Sequence, residues 1–207
     1  MSETRKAHDR RQREDWYRKY IQLPAIDIGA GTDPLPIDGM IHYDYWWSLA
    51  PVGLNVSVLQ DPDATRDAAD LSRFSDQSFL TVYASHILEH LNDHEAALRE
   101  WWRVLQPGGY LIICVPHRDL FEMQDHHPSR WNPCDRPDGG GHMTFWMPDS
   151  EDLPVTYNFK RTLQTVIPDG QVVSFKVLDD GYDYNRDKTL PPIGEYSIEA
   201  IIFKGQQ

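Results

Sequence analysis

A chain of 207 residues with a formal net charge of −12 is long enough for one well-buried core and short for two, so a single domain over residues 23–207 is expected behind a charged N-terminal arm at 1–22. The acidic balance argues against long RNA or DNA as a partner, because phosphate binding needs a basic surface that releases counterions. Two cysteines make no disulfide framework, no apolar run reaches a membrane span, and the charged start lacks a signal peptide's apolar centre, so a cytoplasmic protein without membrane association is expected.

The first twenty residues carry seven Lys/Arg against four acids and end in Trp16, Tyr17 and Tyr20. This pattern reads as a solvated helix whose aromatic end docks on the domain. Next, the apolar run Ala25-Ile26-Asp27-Ile28 ends in Gly29-Ala30-Gly31. A buried parallel strand opening into such a turn lets a ligand approach the backbone, and the carboxyl ends of strands are where open α/β sheets bind ligands. Gly39 to Asp44 reads as a second strand ending in an acid, which can accept from ribose hydroxyls or cap the following turn. The long Tyr45–Asp63 stretch, with Trp46-Trp47, reads as a loop and a candidate lid.

Phe79 to Ala84 has the β-branched and aromatic enrichment of a buried strand. A helix is predicted from about Asp93 to Leu105, since Ala97, Leu98, Trp101, Val104 and Leu105 share one face, with Asp93 as cap, His94 facing solvent and Pro107-Gly108-Gly109 as stop. Tyr110 to Val115 is a continuous apolar strand of the kind covered on both faces. These elements predict a three-layer α/β/α fold around a doubly wound, mostly parallel sheet. An irregular insertion at about 117–148, rich in His, Trp, Pro and Gly, follows a central strand, where a substrate site is built. A helix over about Asp149–Val166 and strands over Val172–Leu178 and Ser197–Phe203 complete the chain.

In their order these pieces resemble the class I S-adenosylmethionine-dependent methyltransferases. Asp27-Ile28-Gly29-Ala30-Gly31 looks like the family's first motif, and Asp44 falls where its ribose-binding acid ends the second strand. Asp70-Leu71 looks like the pair beside the adenine. Phe74-x-Asp76-x-Ser78-Phe79, Leu88-Glu89-His90 and Arg103-Val104-Leu105-Gln106-Pro107-Gly108-Gly109 are similar to the later motifs. Ala30 departs from the Cys or Ser of many members. The resemblance implies S-adenosyl-L-methionine as cofactor, held by Asp27, Gly29, Ala30, Gly31, Asp44, Asp70, Leu71, Ser85 and His86. It also implies methyl transfer, read here as O-methylation of a small-molecule or sugar-containing acceptor. The sugar reading comes from His126-His127-Pro128-Ser129-Arg130-Trp131-Asn132-Pro133, whose aromatic face and fork-like donors suit a pyranose.

His86-Ile87-Leu88-Glu89-His90 also spells the H-x-x-E-H zinc-peptidase pattern, which requires both histidines on one helix face, whereas here it starts directly after a strand. A nicotinamide-dependent oxidoreductase would share the Gly-x-Gly strand but should show a third glycine. The small-RNA 3′-end 2′-O-methyltransferases look similar at His86, Glu89, His90 and His142, positions they use around a divalent ion. His86 departs from their pattern. Such a set can hold a metal or act as bare general bases, and the metal-free version is the expectation: His90 and His142 as bases with Glu89 orienting them.

Overall fold

The computed structural model describes residues 7, 10–31, 34–44, 57–58, 67–122, 141–150, 153–187, 190 and 192–206. In chain order the elements are α1 (Trp16–Tyr20), β1 (Ala25–Ile28), β2 (Ile41–Tyr43), β3 (Ser57–Val58), β4 (Phe79–Ser85), a 3₁₀ turn (Leu88–His90) and α2 (His94–Val104). Then come β5 (Leu105–Pro116), a π turn (Arg118–Glu122), β6 (Phe145–Met147), β7 (Thr156–Asn158), α3 (Phe159–Val166), β8 (Gly170–Leu178) and β9 (Ser197–Lys204). Seven strands form one sheet in the order β3-β2-β1-β4-β5-β9-β8. β1 runs parallel to β2 and β4, β4 parallel to β5, and β9 antiparallel to β5 and β8. The mostly parallel, doubly wound architecture is the one the sequence predicts.

Strand alternation divides the central residues between two cores. Ile26, Ile28, Val82, Ala84, Leu111, Ile113 and Val115 meet Leu98, Trp101, Leu163 and Val166 of α2 and α3. Ala25, Tyr83, Ile112 and Ile201 meet Trp16 and Tyr20 of α1 with Leu35 and Met40. Asp93 caps α2 by accepting the Ala96 N–H at 2.9 Å, as expected.

Four sequence expectations are corrected. Pro107-Gly108-Gly109 follows the end of α2 at Val104 as expected, but it is already part of β5, which starts at Leu105 rather than Tyr110. A Cβ on Gly109 would sit 2.5 Å from the Leu80 carbonyl oxygen, so the glycine permits a close strand approach. The region expected as one long helix holds β7 and the shorter α3. Asn158 accepts the Arg161 N–H at 2.9 Å, which fixes that helix start. His94, read as solvent-facing, is 8% exposed and packs edge-on against Trp146 at 5.1 Å. The lid candidate and the His126–Pro133 stretch lie outside the described residues, except that Ser57–Val58 pairs with β2.

The fourth correction concerns the N-terminal arm. Its aromatic end docks as expected, but its cations do not all face solvent: Arg11 is 0% exposed. Among the described residues no helix joins β1 to β2, so α1 and the residues before it cover the face that a crossover helix would take. Arg11 donates to the Tyr83 hydroxyl at 2.8 Å and to Glu199 at 3.0 Å, with its guanidinium 4.5 Å from the Trp16 ring centroid. Arg10 donates to Glu195 at 3.1 Å. Burial alone would lower the Arg11 pKa, but Tyr83, Cys114 and Glu199 hold it well above its ordinary value. Burial pushes the adjacent Cys114 thiol up to about 12, which keeps it protonated and unreactive.

Removing one partner of a buried pair leaves an uncompensated charge. Arg11→Ala is expected to lower the unfolding free energy by about 3–5 kcal/mol in urea denaturation; a loss below about 1 kcal/mol would show that Glu199 does not depend on it.

Candidate active site

From β1 the chain proceeds to β2 on one side, and from β4 it proceeds to β5 on the other. Such a reversal leaves a crevice at the carboxyl ends of the strands. Gly29 and Gly31 occupy it with φ of +73° and +57°, a region that glycine enters without a Cβ penalty. The Gly29 N–H donates to the Tyr43 carbonyl at 2.8 Å, tying β1 to β2. A Cβ on Gly29 would meet Ile87 at 2.7 Å. The Gly31 N–H donates to the Asp44 carboxylate, so acid and glycine turn are positioned together.

The cleft encloses ≈ 390 Å³ between Gly29, Tyr43 and Asp44 on one side and Asp67-Ala68-Ala69 on another, with Ile87, His90, Leu91, Asn92 and Asp93 closing it. The Asp67–Ala69 wall hangs from α2, because Trp101 Nε1 donates to the Ala68 carbonyl at 2.8 Å. Arg103 steadies the following residues by donating to the Leu71 and Phe74 carbonyls, both at 3.0 Å, and to Asp76 at 2.7 Å.

Of the residues expected to hold the cofactor, Gly29 and Asp44 line the cleft, and Gly31 adjoins it through Asp44. Asp27 is turned away: its buried carboxylate accepts the Leu35 N–H at 2.9 Å and lies 3.3 Å from His42 Nδ1, so it shapes the glycine loop from behind. Ala30 is buried and does not line the cleft. Leu71 is 0% exposed in the core, and Asp70 closes a local turn on the Ser72 N–H at 2.9 Å, which lowers its pKa. Asp67, rather than Asp70, lines the cleft. The missed signal is an acid followed by two small residues, which admit a ligand where Asp-Leu does not. Ser85 hydrogen-bonds Tyr83 and borders a small cavity beside Arg11 and Cys114, away from the cleft. His86 borders that same cavity and sits outside the cleft lining.

The histidines do assemble. His86 has φ +54°, a turn that carries the chain sharply off β4, and only Leu88–His90 follow as a 3₁₀ turn, so the peptidase helix is not formed. Instead Glu89, 0% exposed, lies beneath three imidazoles. Its Oε1 is 3.6 Å from His86 Nδ1, 3.8 Å from His90 Nε2 and 4.0 Å from His142 Nε2. The His142 segment is fastened by backbone: the Met143 and Thr144 N–H groups donate to the Glu89 carbonyl at 2.6 and 3.2 Å. His90 and His142 meet edge to face, with ring centroids 4.7 Å apart.

Residues 55–113 match the family model described as a methyltransferase domain. A demethylmenaquinone methyltransferase of Mycobacterium sp. (strain KMS) is 33% identical over 92 residues, 43% of this chain and 40% of that protein. A ubiquinone/menaquinone biosynthesis C-methyltransferase of Cronobacter sakazakii is 31% identical over 68 residues, 33% of this chain and 27% of the relative. The chain thus spans less than half the length of these curated relatives. A SAM-dependent methyltransferase of Thermotoga maritima, described as a possible histamine N-methyltransferase, superposes with a TM-score of 0.58 at 18% identity, covering 99% of this chain and 100% of its own. A Methanosarcina mazei SAM-dependent methyltransferase gives 0.53 at 18% identity, covering 93% and 98%. The fold is that of S-adenosylmethionine-dependent methyltransferases, and residues 55–113 match a methyltransferase domain.

The cleft suits that cofactor. Its volume falls within the roughly 300–1,000 Å³ of small-molecule sites. The Gly29–Gly31 turn has no side chain to obstruct an amino-acid group, and Asp44 has lone pairs for ribose hydroxyls. Asp67 can accept from an adenine amino group, and Ala68, Ile87 and Leu91 present apolar surface to a ring. Asp44→Ala is expected to weaken S-adenosylhomocysteine binding to the protein by about 1.5–3 kcal/mol in titration calorimetry, whereas Asp70→Ala leaves the affinity unchanged. The reverse pattern would place the cofactor elsewhere.

Proposed function

We propose that the protein methylates a hydroxyl of a small, ring-bearing acceptor. The observation that carries this reading is His90, which lines the cofactor cleft and at the same time faces the buried Glu89 together with His142. When bound, the cofactor supplies an electrophilic methyl on a sulfonium, and the sulfur keeps the bonding pair when that methyl leaves. The protein's share of the work is alignment and removal of the acceptor's proton. Glu89 Oε1 lies 3.8 Å from His90 Nε2 and 4.0 Å from His142 Nε2, so the cluster offers imidazole bases oriented by a carboxylate to a hydroxyl placed against it.

Aromatic rings flank this spot. Phe121 and Tyr196 stack at 4.7 Å with an interplanar angle of 11°, and Phe121 lies 5.9 Å from His142. Such faces receive a planar ring or the C–H face of a sugar. The curated relatives named for demethylmenaquinone also support a small-molecule acceptor. The residues expected to recognise sugar lie outside the described ones, so the reading rests on the rings and the His–Glu cluster.

His142→Ala is expected to lower turnover about 10²–10⁴-fold while S-adenosylhomocysteine affinity stays near wild type. Release of S-adenosylhomocysteine across a panel of hydroxylated aromatics and glycosides measures it. Undiminished turnover would remove the cluster from the reaction, and transfer to carbon alone would exclude the hydroxyl acceptor.

A further inference from the structure

We infer that Ser197 and His86 are positioning residues for the histidine cluster, a relay that holds the Glu89 carboxylate beneath His90 and His142. His86 Nε2 is 2.9 Å from the Ser197 hydroxyl, and the opposite ring nitrogen, Nδ1, faces Glu89 Oε1 at 3.6 Å. A carboxylate only accepts, so in the neutral ring the proton belongs on Nδ1, and Nε2 then accepts from the Ser197 hydroxyl. That proton points at the same oxygen that lies 3.8 Å from His90 Nε2 and 4.0 Å from His142 Nε2. The relay thus orients the group that orients the two bases. The catalytic role of those bases rests on the proposed function, whereas the relay itself is a feature of the fold.

Serine, histidine and glutamate connected in this way have the outline of a hydrolase triad. Burial excludes that use. Ser197 is 2% exposed, and the cavity it borders with His86 encloses only ≈ 10 Å³, room for about one water. Ala7 and Arg11 of the N-terminal arm line the same cavity, and no acyl or phosphoryl group fits against the hydroxyl there. Exclusion of water instead strengthens the bond between Ser197 and His86.

Backbone anchors both ends of the relay. The His86 N–H donates to the Cys114 carbonyl at 2.9 Å, and Ser197 opens β9 in register with Pro116 of β5 and Leu178 of β8. The two preceding residues tie the same strand end to the arm and to the acceptor side. Glu195 accepts from Arg10 at 3.1 Å, and Tyr196 stacks on Phe121, whose ring centroid lies 5.9 Å from that of His142. The start of β9 therefore reaches the cluster from two directions, through His86 to Glu89 and through Phe121 to His142.

The test uses the full chain with ¹⁵N-labelled histidine. Ring-nitrogen correlation spectra are expected to show neutral His86 protonated at Nδ1, and Ser197→Ala is expected to shift the ring signals of His90 and His142. An Nε2-protonated His86, or unmoved His90 and His142 signals, overturns the relay. Turnover on the panel of hydroxylated aromatics and glycosides gives a second readout. His86→Asn keeps a residue type that adopts the left-handed backbone but stops short of Ser197. It and Ser197→Ala are each expected to lower kcat by about 10–100-fold, the scale of a small misplacement at the reacting centre. Acceptor KM and S-adenosylhomocysteine affinity are expected to stay near wild type, which shows that the fold survives. The double variant is expected to lose no more than the more impaired single one, because both changes break one contact. Losses that multiply overturn the relay, as does labelling of Ser197 by a fluorophosphonate. Undiminished turnover in His142→Ala, with the spectra as expected, leaves the relay standing and refutes the proposed function instead.

Discussion

The chain leaves β1 and β4 toward opposite edges of the sheet, so among the described residues no connection crosses the gap between their carboxyl ends. The site depends on that constraint. Gly29 and Gly31 line the gap with backbone, Asp44 arrives from β2 against the Gly31 N–H, and Glu89 and His90 arrive from β4 after the left-handed turn at His86. Parallel pairing puts all these ends on one edge. Two backbone hydrogen bonds to the Glu89 carbonyl, from Met143 and Thr144, help to bring in His142 from more than fifty residues away.

The same sheet is closed behind the site by an unusual means. With no helix between β1 and β2 among the described residues, the N-terminal segment covers the face with Trp16 and Tyr20 and drives Arg11 down to Glu199. A buried ion pair of this kind is a poor source of net stability, because desolvation offsets its attraction. It nevertheless fixes where the segment docks, since Glu199 left alone at 1% exposure would be costly. The cation run in the sequence is therefore part core and part surface, with Arg13 on Asp180 at the exposed end.

Strong periodicity made much of this legible. The β1, β4 and β5 strands, the α2 helix and the glycine turn all follow from apolar runs and small residues whose patterns leave little choice. What failed shares one cause: motif order names a neighbourhood but not which side chain faces the ligand. Asp70 and Leu71 sit one and two residues beyond the Asp67–Ala69 wall of the cleft, because Leu71 satisfies the core and Asp70 the Ser72 turn. Asp27 likewise reads as a ligand but serves Leu35. Arg11 gave no local sign of burial, since its partner Glu199 lies 188 residues away. The histidine cluster was legible as residue types at strand ends, whereas the distances that separate a base from a ligand exist only in three dimensions.

The central claim is that the cleft between Asp44 and Asp67 holds the methyl donor and opens onto the Glu89–His90–His142 cluster. A crystal structure with S-adenosylhomocysteine tests it most directly. The expected result has ribose hydroxyls on Asp44, the adenine against Asp67, Ala68 and Ala69, and the thioether sulfur directed toward His90. An adenine seated at Asp70 and Leu71, or a sulfur facing away from the histidines, would contradict the account.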